Sequence, residues 1–103
     1  MPKVVFAASA TNDIKSIVTY TKKKWGKAQA VSYVYGLKKQ TQILAEMPTL
    51  GKIYAHYHRQ EIHFFPFEKH LIYYFQENHG ITIIHVTHKS MQQSLHIKPK
   101  GTT

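Results

Sequence analysis

The sequence predicts an α+β domain with the order β-α-α-β-β-β, an N-terminal strand and a helical hairpin packed on a small antiparallel-rich sheet. Two consecutive stretches space their apolar residues as buried helix faces do, and three β-rich runs joined by short turns follow them. At 103 residues the chain has room for one core, so residues 1–103 are expected to form a single domain.

Residues 3–8 are β-branched and apolar and read as the first strand. Ser9 and Thr11 are candidate N-caps for a helix in which Ile14, Ile17, Val18, Thr21 and Trp25 recur as one buried stripe. Asp13 near its start and Lys22, Lys23 and Lys24 near its end have the signs the helix dipole favours, and Gly26 offers a left-handed residue to end it. From Lys27 to Met47 a second stripe runs through Ala30, Tyr33, Val34, Leu37, Thr41 and Leu44 and predicts a longer helix folded back on the first. Gly36 inside it costs about 1 kcal/mol relative to alanine, which close approach of the two helices would explain. Pro48-Thr49-Leu50-Gly51 ends this helix.

A polar connection then leads to strands at Glu61 to Phe67, His70 to Glu77 and Ile81 to His88. Glu68-Lys69 and Asn78-His79-Gly80 are their turns, with Gly80 available for positive φ. Apolar residues fall on both parities of the last two strands, so both should be central, with the helical hairpin over one face. The tail, about residues 92–103, holds Pro99 and Gly101 and is expected to be loose.

Composition limits the chemistry. Without cysteine there is no disulfide, thiol nucleophile or thiolate metal site, and no apolar run approaches membrane-spanning length, so a cytoplasmic protein without a membrane partner is expected. Fourteen basic residues face five acids, a formal net charge of +9, and such a surface draws acidic partners. Thirteen of the fourteen are lysines, so the field is diffuse rather than built from guanidinium forks that clamp phosphate.

His56-x-His58 with His63, or His85-x-x-His88, could present imidazoles to a metal, but the spacing signal is weak and the only nearby acid is Glu61. Surface and strand-edge histidines are the plainer reading, and no metal or cofactor is expected. The five acids are scattered, so no hydrolytic pairing is motivated. A basic ribonuclease could draft Arg59, His63, His88 and Lys89, and that alternative stays open. Lys22-Lys23-Lys24-Trp25 followed by Lys27 mixes charge with an aromatic ring as single-strand binding surfaces do, but on the helical wheel Trp25 falls on the buried stripe, so the lysines read as a solvated helix end. Val31 and Tyr35, four residues apart and off the core stripe, should be exposed and could offer a groove to a partner's helix, together with Tyr20.

The residues at the joints of this order are Asp13-Ile14 with Ile17, Lys24-Trp25-Gly26-Lys27-Ala28-Gln29-Ala30, and Leu44-Ala45-Glu46-Met47-Pro48-Thr49-Leu50-Gly51. Arg59, Phe65-Pro66, His70-Leu71-Ile72-Tyr73-Tyr74 and Ile83-Ile84-His85-Val86-Thr87-His88-Lys89-Ser90-Met91 follow. In this succession they resemble the ParE/RelE toxin superfamily, and its ParE branch most.

The resemblance implies a cytoplasmic toxin of a plasmid-stabilisation type, encoded beside a ParD-like antitoxin whose C-terminal segment wraps it. It implies DNA gyrase, held on cleaved DNA, as the target, inhibited by binding and not by catalysis. By position it puts the target-binding surface at His88, Lys89, Ser90 and Met91. Antitoxin contact at Tyr20, Val31 and Tyr35 rests on the helical wheel instead. His63 stands where the family commonly has arginine before Phe-Pro, and Ser90 and Gln92 replace an arginine and an aspartate often found after the last histidine. The first two departures weaken any RelE-like phosphate chemistry, and they leave open a toxin of altered potency or a non-toxic relative that only binds its antitoxin; the rival from the enzyme class is a RelE-like ribosome-dependent mRNA endonuclease.

Overall fold

The computed structural model describes residues 2–90. Strand β1 (Lys3–Phe6) leads into helix α1 (Ala8–Trp25), and helix α2 (Lys27–Glu46) returns along it. A 3-10 turn at Pro48–Leu50 precedes four strands, β2 (Lys52–Tyr57), β3 (Gln60–Phe67), β4 (His70–Glu77) and β5 (Gly80–His88). They form one sheet of order β1-β5-β4-β3-β2, in which β1 pairs with β5 in parallel and the other pairs are antiparallel. The expected α+β architecture holds, with one strand more than the sequence announced. Met91 and the tail, for which a loose conformation was expected, lie outside the described residues.

The helical hairpin covers one sheet face, where Tyr33, Leu37 and Leu44 of α2 pack with Ile72, Tyr74, Ile81, Ile83 and Val86. On the other face Ile62, Leu71 and Tyr73 form a second cluster with Tyr54, Phe64, Phe75 and Ile84. Apolar residues on both parities of β4 and β5 thus serve two separate clusters, as central strands require. The buried stripe of α2 is the expected one, with Val34 partly buried at its margin.

Helix α1 departs from expectation at both ends. Its N-cap is Ala7, which makes no side-chain cap bond, while Ser9 already lies inside the helix and gives its hydroxyl to the Ile84 carbonyl at 2.6 Å. Asp13 lies beyond the first turn and serves β5 rather than the dipole. Its carboxylate accepts the Val86 N–H at 3.0 Å and contacts His85 Nδ1 at 2.8 Å. At the other end Trp25 is 64% exposed and leaves the predicted stripe, because the hairpin turn carries it past the sheet's cover.

Three backbone details fix the hairpin and its return. Gly26, at φ 100 and ψ 167, occupies a region essentially closed to L-residues, so the helix-to-helix joint depends on glycine. Gly36 lies against Phe67, whose ring would stand 3.1 Å from an added Cβ, so it admits β3 rather than the facing helix. Gly51 donates its N–H to the Tyr74 hydroxyl at 3.0 Å, and that hydroxyl donates to the Pro48 carbonyl at 2.7 Å. A side chain at Gly51 would strike the phenol, so one buried group ties the chain after α2 to the centre of the sheet.

The unannounced strand β2 joins β3 through the two residues His58 and Arg59, both at positive φ (49 and 70). A two-residue hairpin loop of this kind favours Asn-Gly, and bulky L-residues there cost on the order of 1 kcal/mol each. Replacing His58-Arg59 by Asn-Gly is therefore expected to stabilise the domain by about 1–2 kcal/mol, a rise of roughly 4–15 °C in the thermal midpoint read by circular dichroism. An unchanged or lower midpoint would show that the loop carries no strain.

Candidate functional site

The C-terminal end of β5 gathers the polar groups that the helix-covered face leaves at its rim. Pairing of β4 with β5 starts at Glu77 opposite Gly80 and proceeds to Tyr74 opposite Ile83, but Tyr73 then faces His85, with Ile84 as the extra residue. This bulge sets His88 opposite His70, where an unbroken ladder would have put Thr87. The two imidazoles stand edge to face with centroids 5.6 Å apart.

Behind them Tyr33 of α2 brings its hydroxyl 3.2 Å from His70 Nδ1, and its ring packs on Phe67 and His70 at 5.4 and 5.3 Å. Burial, with Glu68 nearby, pushes the Tyr33 phenol well above its usual range, so it keeps a proton to donate. Burial, with His88 beside it, holds His70 below the ordinary imidazole range, in keeping with a neutral ring accepting that proton. Ser90 donates its N–H to His88 Nδ1 at 3.1 Å and sets its hydroxyl 2.8 Å from the same atom, which leaves Nε2 as the outward group. Lys89 donates its N–H to the Lys69 carbonyl at 2.9 Å, so its ammonium projects from an anchored backbone.

Of the target-binding residues expected from sequence, His88, Lys89 and Ser90 come together in this cluster, and Met91 lies outside the described residues. Tyr33, Phe67, Lys69 and His70 were missed. Only the register could have found them, and the bulge conceals it. The ribonuclease set does not converge: His63 faces Tyr74, whose partner Ile83 lies five residues before His88, about 16 Å along the strand. Arg59 is at the turn farther along. Nor is His63 the surface residue expected, since it is buried and stacked on the Tyr74 ring at 5.4 Å.

Tyr20, Val31 and Tyr35 are exposed, by 60%, 60% and 67%. Lys39 lies over the Tyr35 ring at 5.6 Å and Lys24 over that of Tyr20 at the same distance, while no stacking links the two tyrosines among the described residues. The acids are less scattered than their sequence positions suggest. Asp13 meets His85, Glu61 meets His56 and His63 at 3.4 and 3.8 Å, and Glu77 meets His79 at 3.7 Å. Among the described residues no lysine or arginine forms a salt bridge, so the cationic field is left uncompensated within the chain. Among them, too, no three potential ligands converge on a metal position, and no helix is long and apolar enough to cross a membrane.

A family model described as "ParE toxin of type II toxin-antitoxin system, parDE" matches residues 4–93. The chain belongs to the ParE toxin family. A comparison with curated proteins returns no match. Among solved structures, one described as "Chromosomal ParDE TA system from P. aeruginosa" is similar with a TM-score of 0.68 at 15% identity, covering 85% of this chain and 96% of that one. The likeness in structure is one of fold; the family match makes this ParE chain the toxin component of a type II toxin-antitoxin system.

In this ParE toxin the rim cluster ties stability to pH with a definite sign. His70 is harder to protonate folded than unfolded, so the unfolded chain binds more protons below about pH 6.5, and stability rises with pH through that window. His70→Gln is expected to reduce the fall in thermal midpoint between pH 7.5 and pH 5.5. An undiminished fall would place the sensitivity elsewhere.

Proposed function

We propose that this ParE toxin acts in the cytoplasm by binding DNA gyrase on cleaved DNA, without catalysis of its own, and that a ParD-like antitoxin neutralises it. The observation that carries the non-catalytic reading is the spread of the drafted ribonuclease groups over opposite ends of the sheet, with no carboxylate hydrogen-bonded to His70 or His88 among the described residues. What the β5 end offers instead is an outward imidazole edge and an ammonium on a braced backbone, a surface for electrostatic and hydrogen-bonded contact. The family match supports a ParD-like antitoxin as partner, the resemblance of the sequence favours gyrase as target, and the unpaired lysines suit an acidic antitoxin segment. Val31 and Tyr35, exposed one turn apart on α2, fit the apolar anchors that such a segment's helix would cover.

Induction in cells tests the target. Loss of supercoiling with double-strand breaks supports gyrase, rapid transcript cleavage with intact supercoiling supports a RelE-like nuclease, and neither supports a non-toxic antitoxin-binding relative. Replacing His88 and Lys89 together by alanine is expected to reduce toxicity by about tenfold or more, on the order of 1.4 kcal/mol, with antitoxin affinity nearly unchanged. Parallel loss of both would remove the target surface from this end of β5. Tyr35→Glu is expected to weaken antitoxin binding by roughly thirtyfold, about 2 kcal/mol, because the complex would have to desolvate the new charge. Unchanged affinity in titration calorimetry would exclude that face.

A further inference from the structure

From Ile14 to Ala45 the helical hairpin carries seven lysines and no acid. At its tip, Tyr20, Lys23 and Lys24 share one side of α1 by their spacing, and all are exposed. Lys24 stands 5.6 Å from the ring centroids of both Tyr20 and Trp25 and donates to the Tyr20 hydroxyl at 3.2 Å. Lys22 and Lys27 flank the pair and are also exposed. A helix end favours lysines for its dipole alone, but the dipole gives no reason for two large rings to stand in water beside them.

We infer that this tip binds single-stranded DNA, with Tyr20 and Trp25 as stacking platforms and Lys22, Lys23, Lys24 and Lys27 as phosphate contacts. Unpaired bases can lie on the exposed rings while ammonium groups meet the backbone, whereas duplex bases are already stacked on one another. Only the duplex's greater charge density favours it here. The lysines and the indole N–H are donors, for which an anionic phosphate oxygen is a stronger acceptor than a 2′-hydroxyl, so ribose adds little here, whereas the thymine 5-methyl adds apolar area to a stack on an exposed ring. The inference is independent of gyrase and needs only the purified chain.

Trp25 is the single tryptophan, so its fluorescence reports stacking directly. Titration with a dodecamer of thymidylate is expected to quench its emission saturably, with affinity falling as salt rises. Trp25→Ala should weaken binding, followed by anisotropy of a labelled strand, by about tenfold, and Trp25→Phe should restore part of it. Changing Lys22, Lys23 and Lys24 to glutamine should flatten the salt dependence, while glutamine at Lys52 and Lys69, outside this tip, should alter it less. Since Trp25 is exposed, the circular dichroism of the variants should match the parent. Equal quenching by a duplex or by polyglutamate would show that the tip senses charge alone and would overturn the inference. So would Trp25→Ala binding as the parent does, or a uridylate dodecamer binding more tightly than thymidylate.

Discussion

Successive carbonyls along a strand point to opposite sides, yet Ile83 and Ile84 both turn theirs toward the start of α1. The bulge at Ile84 makes this possible. Ala7 N–H takes the Ile83 oxygen, the Ser9 hydroxyl takes that of Ile84, and Asp13 takes the Val86 N–H beyond them. Strand β1 is only four residues long and leaves the upper half of β5 without a strand on that side. The first two turns of α1 stand in for it, supplying side-chain partners to backbone groups that would cost about 1–3 kcal/mol each if buried unpaired. The position of the whole helical hairpin follows from this stitching.

The same bulge builds the surface at the strand's end. By advancing β5 one residue it sets His88 opposite His70, and the docked hairpin brings Tyr33 of α2 against His70 from behind. Core and site are therefore continuous. Tyr33 belongs at once to the packed interior and to the hydrogen bond that orients the rim, so residues far from the surface govern how His88 is presented. Such a cluster is held in position by the Tyr33 contact to His70 and by the Ser90 N–H on His88.

The fold was legible wherever periodicity and burial agree. The stripe from Ala30 to Leu44 is long and backed by the sheet, so its spacing alone revealed α2. Strand β2 was hidden for two physical reasons: as an edge strand it buries only Ala55, which removes the alternation, and its turn is His58-Arg59, which carries no turn residue. Trp25 misled because helical spacing tells direction but not where cover ends, and α1 outruns its cover. Of the rim cluster, His88, Lys89 and Ser90 were readable by family position, while His70 and Tyr33 were not, since one inserted residue in β5 decides which side chains meet.

Charge completes the connection between fold and partner. The acids at positions 13, 61 and 77 are drawn to histidines, and Asp13 is also spent on the β5 backbone. Lysines gain nothing from them. With three of its five carboxylates engaged by histidines and no lysine in a salt bridge among the described residues, the chain keeps a positive surface potential that speeds encounter with polyanions. On the proposed readings, discrimination would come from shape: an apolar turn at Val31 and Tyr35, a braced imidazole at His88, and two exposed rings at the hairpin tip are three separate features on a common field. A partner that covered one of them would leave the others exposed, unless it were long enough to wrap the helices and the end of β5 together.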